Sequence, residues 1–229
     1  MSDNCILDFL RELEQNNNRP WMLEHKAYQK EAAAQFEGLV QGIIRDLAPY
    51  DPPIAQQNAR DLMFRQNRDT RFGSDKSPYN PSFRAHISSA GRTPIPVGFY
   101  LHISPGKSFL GGGLFAAMFK DATEMIRDHI VKNGGEFEAI INAPEFREHF
   151  TLAGEKLKNV PRGYDPDSPH SEYLKHKSWY IELPFADSVL CNLNDFTNYA
   201  VENFLRMRPF NNYLNSALAG FTMLERPGR

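Results

Sequence analysis

Val97-Gly98-Phe99-Tyr100-Leu101-His102-Ile103 puts an apolar side chain at every second position, with Tyr100 and His102 between them. A strand sends successive side chains to opposite faces, so this spacing predicts a β-strand with one buried and one more polar face. Phe83-Ala85-Ile87 repeats the pattern around Arg84 and His86, and Trp179-Ile181-Leu183-Phe185 repeats it around Tyr180 and Glu182. Leu62 and Phe64, alternating with Met63 and Arg65, are a fourth candidate. Residues 107–110, ended by Gly111-Gly112-Gly113, are a fifth.

Outward from these strands the period changes. Ile6, Phe9, Leu10 and Leu13 fall at i, i+3, i+4 and i+7, one helical stripe, which Asp3 or Asn4 can cap. Asn16-Asn17-Asn18-Arg19 ends it, and Pro20 opens a long helix whose stripe runs from Trp21 and Tyr28 to Leu47. Trp21 and Tyr28 are therefore expected to be largely buried. After the triple glycine, Phe119, Ala122, Ile126 and Ile130 predict another helix, stopped by Gly134-Gly135. Short helices follow at 137–141 and 144–150. Asn194 or Asp195 caps a helix through Met207, and Pro209 starts a last one. Helices at both ends of a strand-rich middle predict an α+β fold: one domain over residues 1–229, with an antiparallel sheet packed against N- and C-terminal helices. Residues 225–229 read as a frayed tail.

Composition narrows the function classes. The chain has 229 residues, 41% hydrophobic and 24% charged, enough to bury a core without disulfides or a structural metal. Its net charge of −2 provides no general basic field, so nucleic acid is not an expected partner. No stretch approaches the ~20 apolar residues of a membrane span, and the acidic start Met1-Ser2-Asp3-Asn4 is unlike a secretory leader. Cys5 and Cys191 are far apart and in no metal-ligand spacing. The expectation is a cytoplasmic protein with reduced thiols, no membrane contact, no metal and no cofactor.

Residues 65–76 hold the densest chemistry: Arg65, Arg68, Arg71 and Lys76 with Asp69 and Asp75, four cations and two carboxylates in twelve positions. Arg places two hydrogen bonds on one carboxylate or phosphate, so several on one loop can form an anion pocket. The same residues can equally pair among themselves, the carboxylates fixing the loop as a clasp. In the first reading Asp69 and Asp75 orient the cations, Asp69 is the candidate general base, and Tyr79, Arg84 and Tyr100 add donors. A third reading takes His86, His102 and Glu182 from the polar face of the sheet as a metal triad, although no local ligand spacing supports it. Gly111-Gly112-Gly113 lacks the phosphate-binding patterns, and a tight turn with close packing accounts for it.

These residues carry a resemblance. Asn16-Asn17 with Arg19, Trp21, Lys26 and Tyr28 form one block of it. Phe64-Arg65 with Arg68-Asp69-Thr70-Arg71-Phe72, Asp75-Lys76 and Pro78-Tyr79 form a second. Gly112-Gly113 with Arg127, and Pro161 with Gly163-Tyr164, Pro169 and Leu174, complete it. Together they resemble the bacterial and fungal family of conserved hypothetical proteins known as domain of unknown function 2461, over about residues 9–205. Gly73 stands where relatives are expected to carry serine. The resemblance implies an α+β fold and no established activity. Function stays divided between a small phosphate- or carboxylate-bearing ligand, bound or transformed, a non-enzymatic interaction module, and a metal-dependent enzyme.

Overall fold

In this computed structural model, residues 5–71, 74–115 and 119–223 are described. The chain runs α1 (Cys5–Gln15), α2 (Arg19–Glu24), α3 (Lys26–Leu47), α4 (Ala59–Leu62), β1 (Phe83–Ile87), β2 (Phe99–Ile103), β3 (Phe109–Leu114), α5 (Lys120–Ile141), α6 (Pro144–His149), β4 (Leu152–Ala153), α7 (Ser171–Leu174), β5 (Trp179–Pro184) and α8 (Leu193–Ala217), with short 3-10 turns at Pro52–Gln56 and Asp187–Cys191. It is an α+β fold, an antiparallel sheet in the order β1-β2-β3-β5-β4 flanked by helices from both ends of the chain. Among the described residues no helix is long and apolar enough to cross a membrane.

Two units share the chain: Met1–Arg92 with Tyr100–Leu110 and Pro184–Asn203, and Thr93–Phe99 with Gly111–Leu183 and Phe204–Arg229. In the first, Ile6, Phe9, Leu10 and Leu13 of α1 are fully buried, as their helical spacing requires. Phe9 is the hub. Its ring meets Tyr28 edge-on at 5.4 Å and lies 6.1 Å from both Trp21 and Phe83, and Phe83 stacks on Phe36 at 5.3 Å. In the second, Phe137 sits among Tyr173, Phe210 and Tyr213, and Trp179 is fully buried. The buried Arg127 donates to the carbonyl oxygens of Leu174 (2.8 Å) and His176 (2.7 Å) and lies over the Trp179 ring. That bonding meets the need of a cation out of water.

Several boundaries differ from the sequence expectation, each for a physical reason. The Leu62–Phe64 segment is no strand: α4 ends at Leu62, and Met63 forms a single bridge with Ala85. The triple glycine does not end β3, which runs through it to Leu114. A Cβ on Gly113, whose φ is +96°, would lie 2.4 Å from the Trp179 carbonyl oxygen, so the glycine serves close approach inside the sheet. Gly134-Gly135 does not stop α5. The helix kinks at Asn133 and continues, and a Cβ on Gly134 would strike the His170 ring. Pro209 lies inside α8, which starts at Leu193 with the Asn192 side chain accepting from the N–H groups of Asn194 (2.9 Å) and Asp195 (3.3 Å). Trp21 is on α2, apart from the long helix, and both Trp21 and Tyr28 are half-buried rather than largely buried. His86, placed on the polar face, is buried. Asp3, Asn4 and the 225–229 tail lie outside the described residues.

Gly113→Ala is expected to cost about 2–5 kcal/mol, combining a left-handed φ with an unyielding backbone contact. Gly112→Ala is expected to cost less, because its nearest atoms belong to the Asn211 and Met207 side chains. Thermal unfolding of the two variants checks the order, and equal melting temperatures would contradict it.

Candidate functional site

The site is built in the first unit, at the corner where α1 turns into α2. Asn18 caps α2 by accepting from the Trp21 N–H at 3.0 Å, and Pro20 occupies its first turn. The His25 ring stacks on Trp21 at 4.3 Å, the His25 backbone N–H donates to the Trp21 carbonyl at 2.9 Å, and His25 itself, at φ −97° and ψ 21°, separates α2 from α3. Arg19, Met22 and Leu23 of α2 and Lys26 and Gln29 of α3 keep i, i+3, i+4, i+7 and i+10 spacing across this break.

Asn17 joins the corner to the loop that follows α4. Its amide nitrogen donates to the Tyr79 carbonyl (2.9 Å), and its oxygen accepts from the Tyr79 N–H (3.1 Å). Both ends of one amide thus pair with both backbone groups of one residue. The loop's base is zipped by Arg68 N–H to Pro78 O (2.9 Å) and Asn80 N–H to Gln66 O (2.7 Å). A cavity of about 620 Å³ results, with Arg65, Gln66, Asn67 and Tyr79 facing the α2–α3 side.

Three cations line it: Arg19, Lys26 and Arg65. Among the described residues none of these three side chains is ion-paired, and no carboxylate is part of the lining. Gln66 is 92% out of water. One end of its amide is met by Gln29 at 3.4 Å, and its Nε2 has no partner among the described residues.

The loop itself arranges its charge differently. Arg68 is ion-paired to Asp75, which also accepts from the Ser77 N–H (2.9 Å) and hydroxyl (2.6 Å). Arg71 forks onto Asp69, with Nε to Oδ1 at 2.9 Å, and its own N–H reaches the same oxygen at 3.1 Å. Lys76 donates to the Thr70 carbonyl at 2.9 Å. The bonds from Arg71 hold Asp69 down to about 2. Asp75 lies far below the usual carboxylate range, chiefly because Ser77 and then Arg68 donate to it. Of the nine ligand residues expected from sequence, the cavity takes in Arg65 and Tyr79. Arg68, Asp69, Arg71, Asp75 and Lys76 form the self-paired loop. Phe72 and Gly73 lie outside the described residues.

Arg84 and Tyr100 stand on the sheet face. The Arg84 guanidinium lies over Phe64 and donates to the Arg65 carbonyl at 3.3 Å. Tyr100 lies between Phe64 (6.0 Å) and Phe109 (5.9 Å), and His102 stacks on Phe109 at 4.8 Å. Burial raises the Tyr100 hydroxyl against the pull of Arg84, while burial and then Arg84 push His102 down to about 4. Glu182 is raised by burial. Among the described residues no group of three or more His, Cys, Asp and Glu is gathered as a metal site requires.

A family model described as conserved hypothetical protein (DUF2461) matches residues 5–213. The chain belongs to the DUF2461 family. No curated protein and no solved structure matches it. The DUF2461 blocks quoted from the sequence meet at this corner: Asn17, Arg19 and Lys26 from one, Arg65 and Tyr79 from the other. Arg19 and Lys26, which line the cavity, were not among the site residues expected from the sequence. The available signal was that both stand in the first of those blocks.

His102 is expected to titrate near 4 and not near the ordinary ~6.5. Its folded value lies below the unfolded one, so the stability linked to it is fully present above about pH 6.5. That stability is lost as pH falls from there through about 4. Following the imidazole signals by NMR checks this, and a midpoint near 6.5 would contradict the burial argument.

Proposed function

We propose that this DUF2461 protein binds a small molecule bearing a phosphate or carboxylate in the cavity lined by Arg19, Lys26 and Arg65. The observation that carries the reading is the contrast in charge pairing: the loop's carboxylates occupy Arg68 and Arg71, while the cavity cations have no ion-pair partner among the described residues. Like charges gathered without compensation repel, and an anion between them removes that cost and adds charge-assisted hydrogen bonds. The buried Gln66 Nε2 supports the reading from a second direction. An amide donor out of water with no acceptor costs about 1–3 kcal/mol, and a turn of the Gln66 side chain that brings it to an acceptor oxygen in the cavity offsets that loss.

In this proposal the loop around Asp69 and Asp75 is a clasp that shapes one wall of the cavity. It supplies no base, because a carboxylate held at about 2 by Arg71 takes up a proton poorly at neutral pH. The role is therefore binding, with Arg65 and Tyr79 retained as ligand contacts and Arg19 and Lys26 added. Arg84 braces the Arg65 backbone.

Thermal shift with phosphate, sulfate and nucleoside monophosphates tests it. An anion at a hundred times its dissociation constant adds ~2.7 kcal/mol to folded stability, about 5–10 °C for a chain of this size. Arg65→Ala and Lys26→Ala are expected to abolish the gain, and Arg71→Ala to keep it. Stabilisation by salts excluded from the protein surface would survive all three substitutions, and that result would sink the proposal.

A further inference from the structure

The cavity is far larger than inorganic phosphate requires. Its volume of about 620 Å³ falls in the ~300–1,000 Å³ range of sites that hold organic ligands. Its lining is also mixed in chemistry. Met22 and Leu23, between Arg19 and Lys26 in sequence, contribute an apolar stretch from one turn of α2. Leu23 is 74% exposed, the most exposed large hydrophobic side chain among the described residues. Single apolar residues on a surface are ordinary. Here, however, two adjacent ones lie in the wall of a concave site beside unpaired cations, where a ligand that covers them removes apolar area from water.

Resting on the anion-binding reading, we infer that the ligand is an organic anion with an apolar body. The cations hold the phosphate or carboxylate, and the body lies on Leu23 and Met22. The spacing places both functions on one helical surface: Arg19 stands three and four residues before Met22 and Leu23, and Lys26 follows them by four and three. A ligand lying along this surface uses both.

Calorimetric titration with inorganic phosphate and with phenyl phosphate, at a pH where both are dianions, separates the claims. Phenyl phosphate is expected to bind the wild-type protein about tenfold tighter or better, the scale of one added apolar contact in a pocket. Leu23→Ser leaves folding intact because the side chain is exposed. It is expected to weaken phenyl phosphate about 3–10-fold and to leave inorganic phosphate unchanged, while Arg65→Ala weakens both. Phosphate binding with no gain from the phenyl group overturns this inference and leaves the anion site standing. A gain that survives Leu23→Ser overturns the assignment of the apolar wall. Binding of neither probe overturns both.

Discussion

Four positive side chains within twelve residues repel one another where nothing compensates them, and how the loop's two carboxylates are allotted sets the charge of the whole corner. Asp69 and Asp75 are spent inside the loop, on Arg71 and Arg68. Lys76 is turned onto a backbone carbonyl. Arg65 is left at the loop's base, where the helical spacing of α2 and α3 brings Arg19 and Lys26 to the same cavity. The exposed pairs add little to stability by themselves. Their effect is to fix which cations remain available.

The second requirement is backbone satisfaction at chain segments that no ladder covers. Two asparagines meet it in the same way. Asn17 pairs with both backbone groups of Tyr79, and in the other unit Asn215 pairs with both of Val97, at 2.8 and 3.0 Å. An asparagine amide has the donor and acceptor spacing of a peptide, so it extends a chain edge where no strand is present. Asn17 thereby places the loop's end against the α1–α2 corner.

The strands at Phe83–Ile87, Phe99–Ile103 and Trp179–Pro184 were legible because half-buried sheet faces impose a period of two. The glycines misled because their purpose is tertiary. Gly113 and Gly134 make room for Trp179 and His170, neighbours that local sequence does not identify, and a helix stop or strand end is the ordinary local reading. Pro209 misled similarly: it removes one ladder bond, yet Met207, Phe210 and Tyr213 around it are all buried, and α8 continues. For the cavity, charge density pointed to the segment that contributes Arg65 and Tyr79 to its lining. Which carboxylate takes which arginine depends on loop geometry, and Arg19 and Lys26 come from two consecutive helices far earlier in the chain.

Residue-resolved titration tests the account most directly. With phosphate added, the side-chain amide signals of Gln66 and the Nε signal of Arg65 should move together along one saturating curve, while those of Arg68 and Arg71 stay in place because their partners are internal. Shifts confined to Arg68 and Arg71, with Gln66 and Arg65 unmoved, would contradict the account and return the anion to the loop.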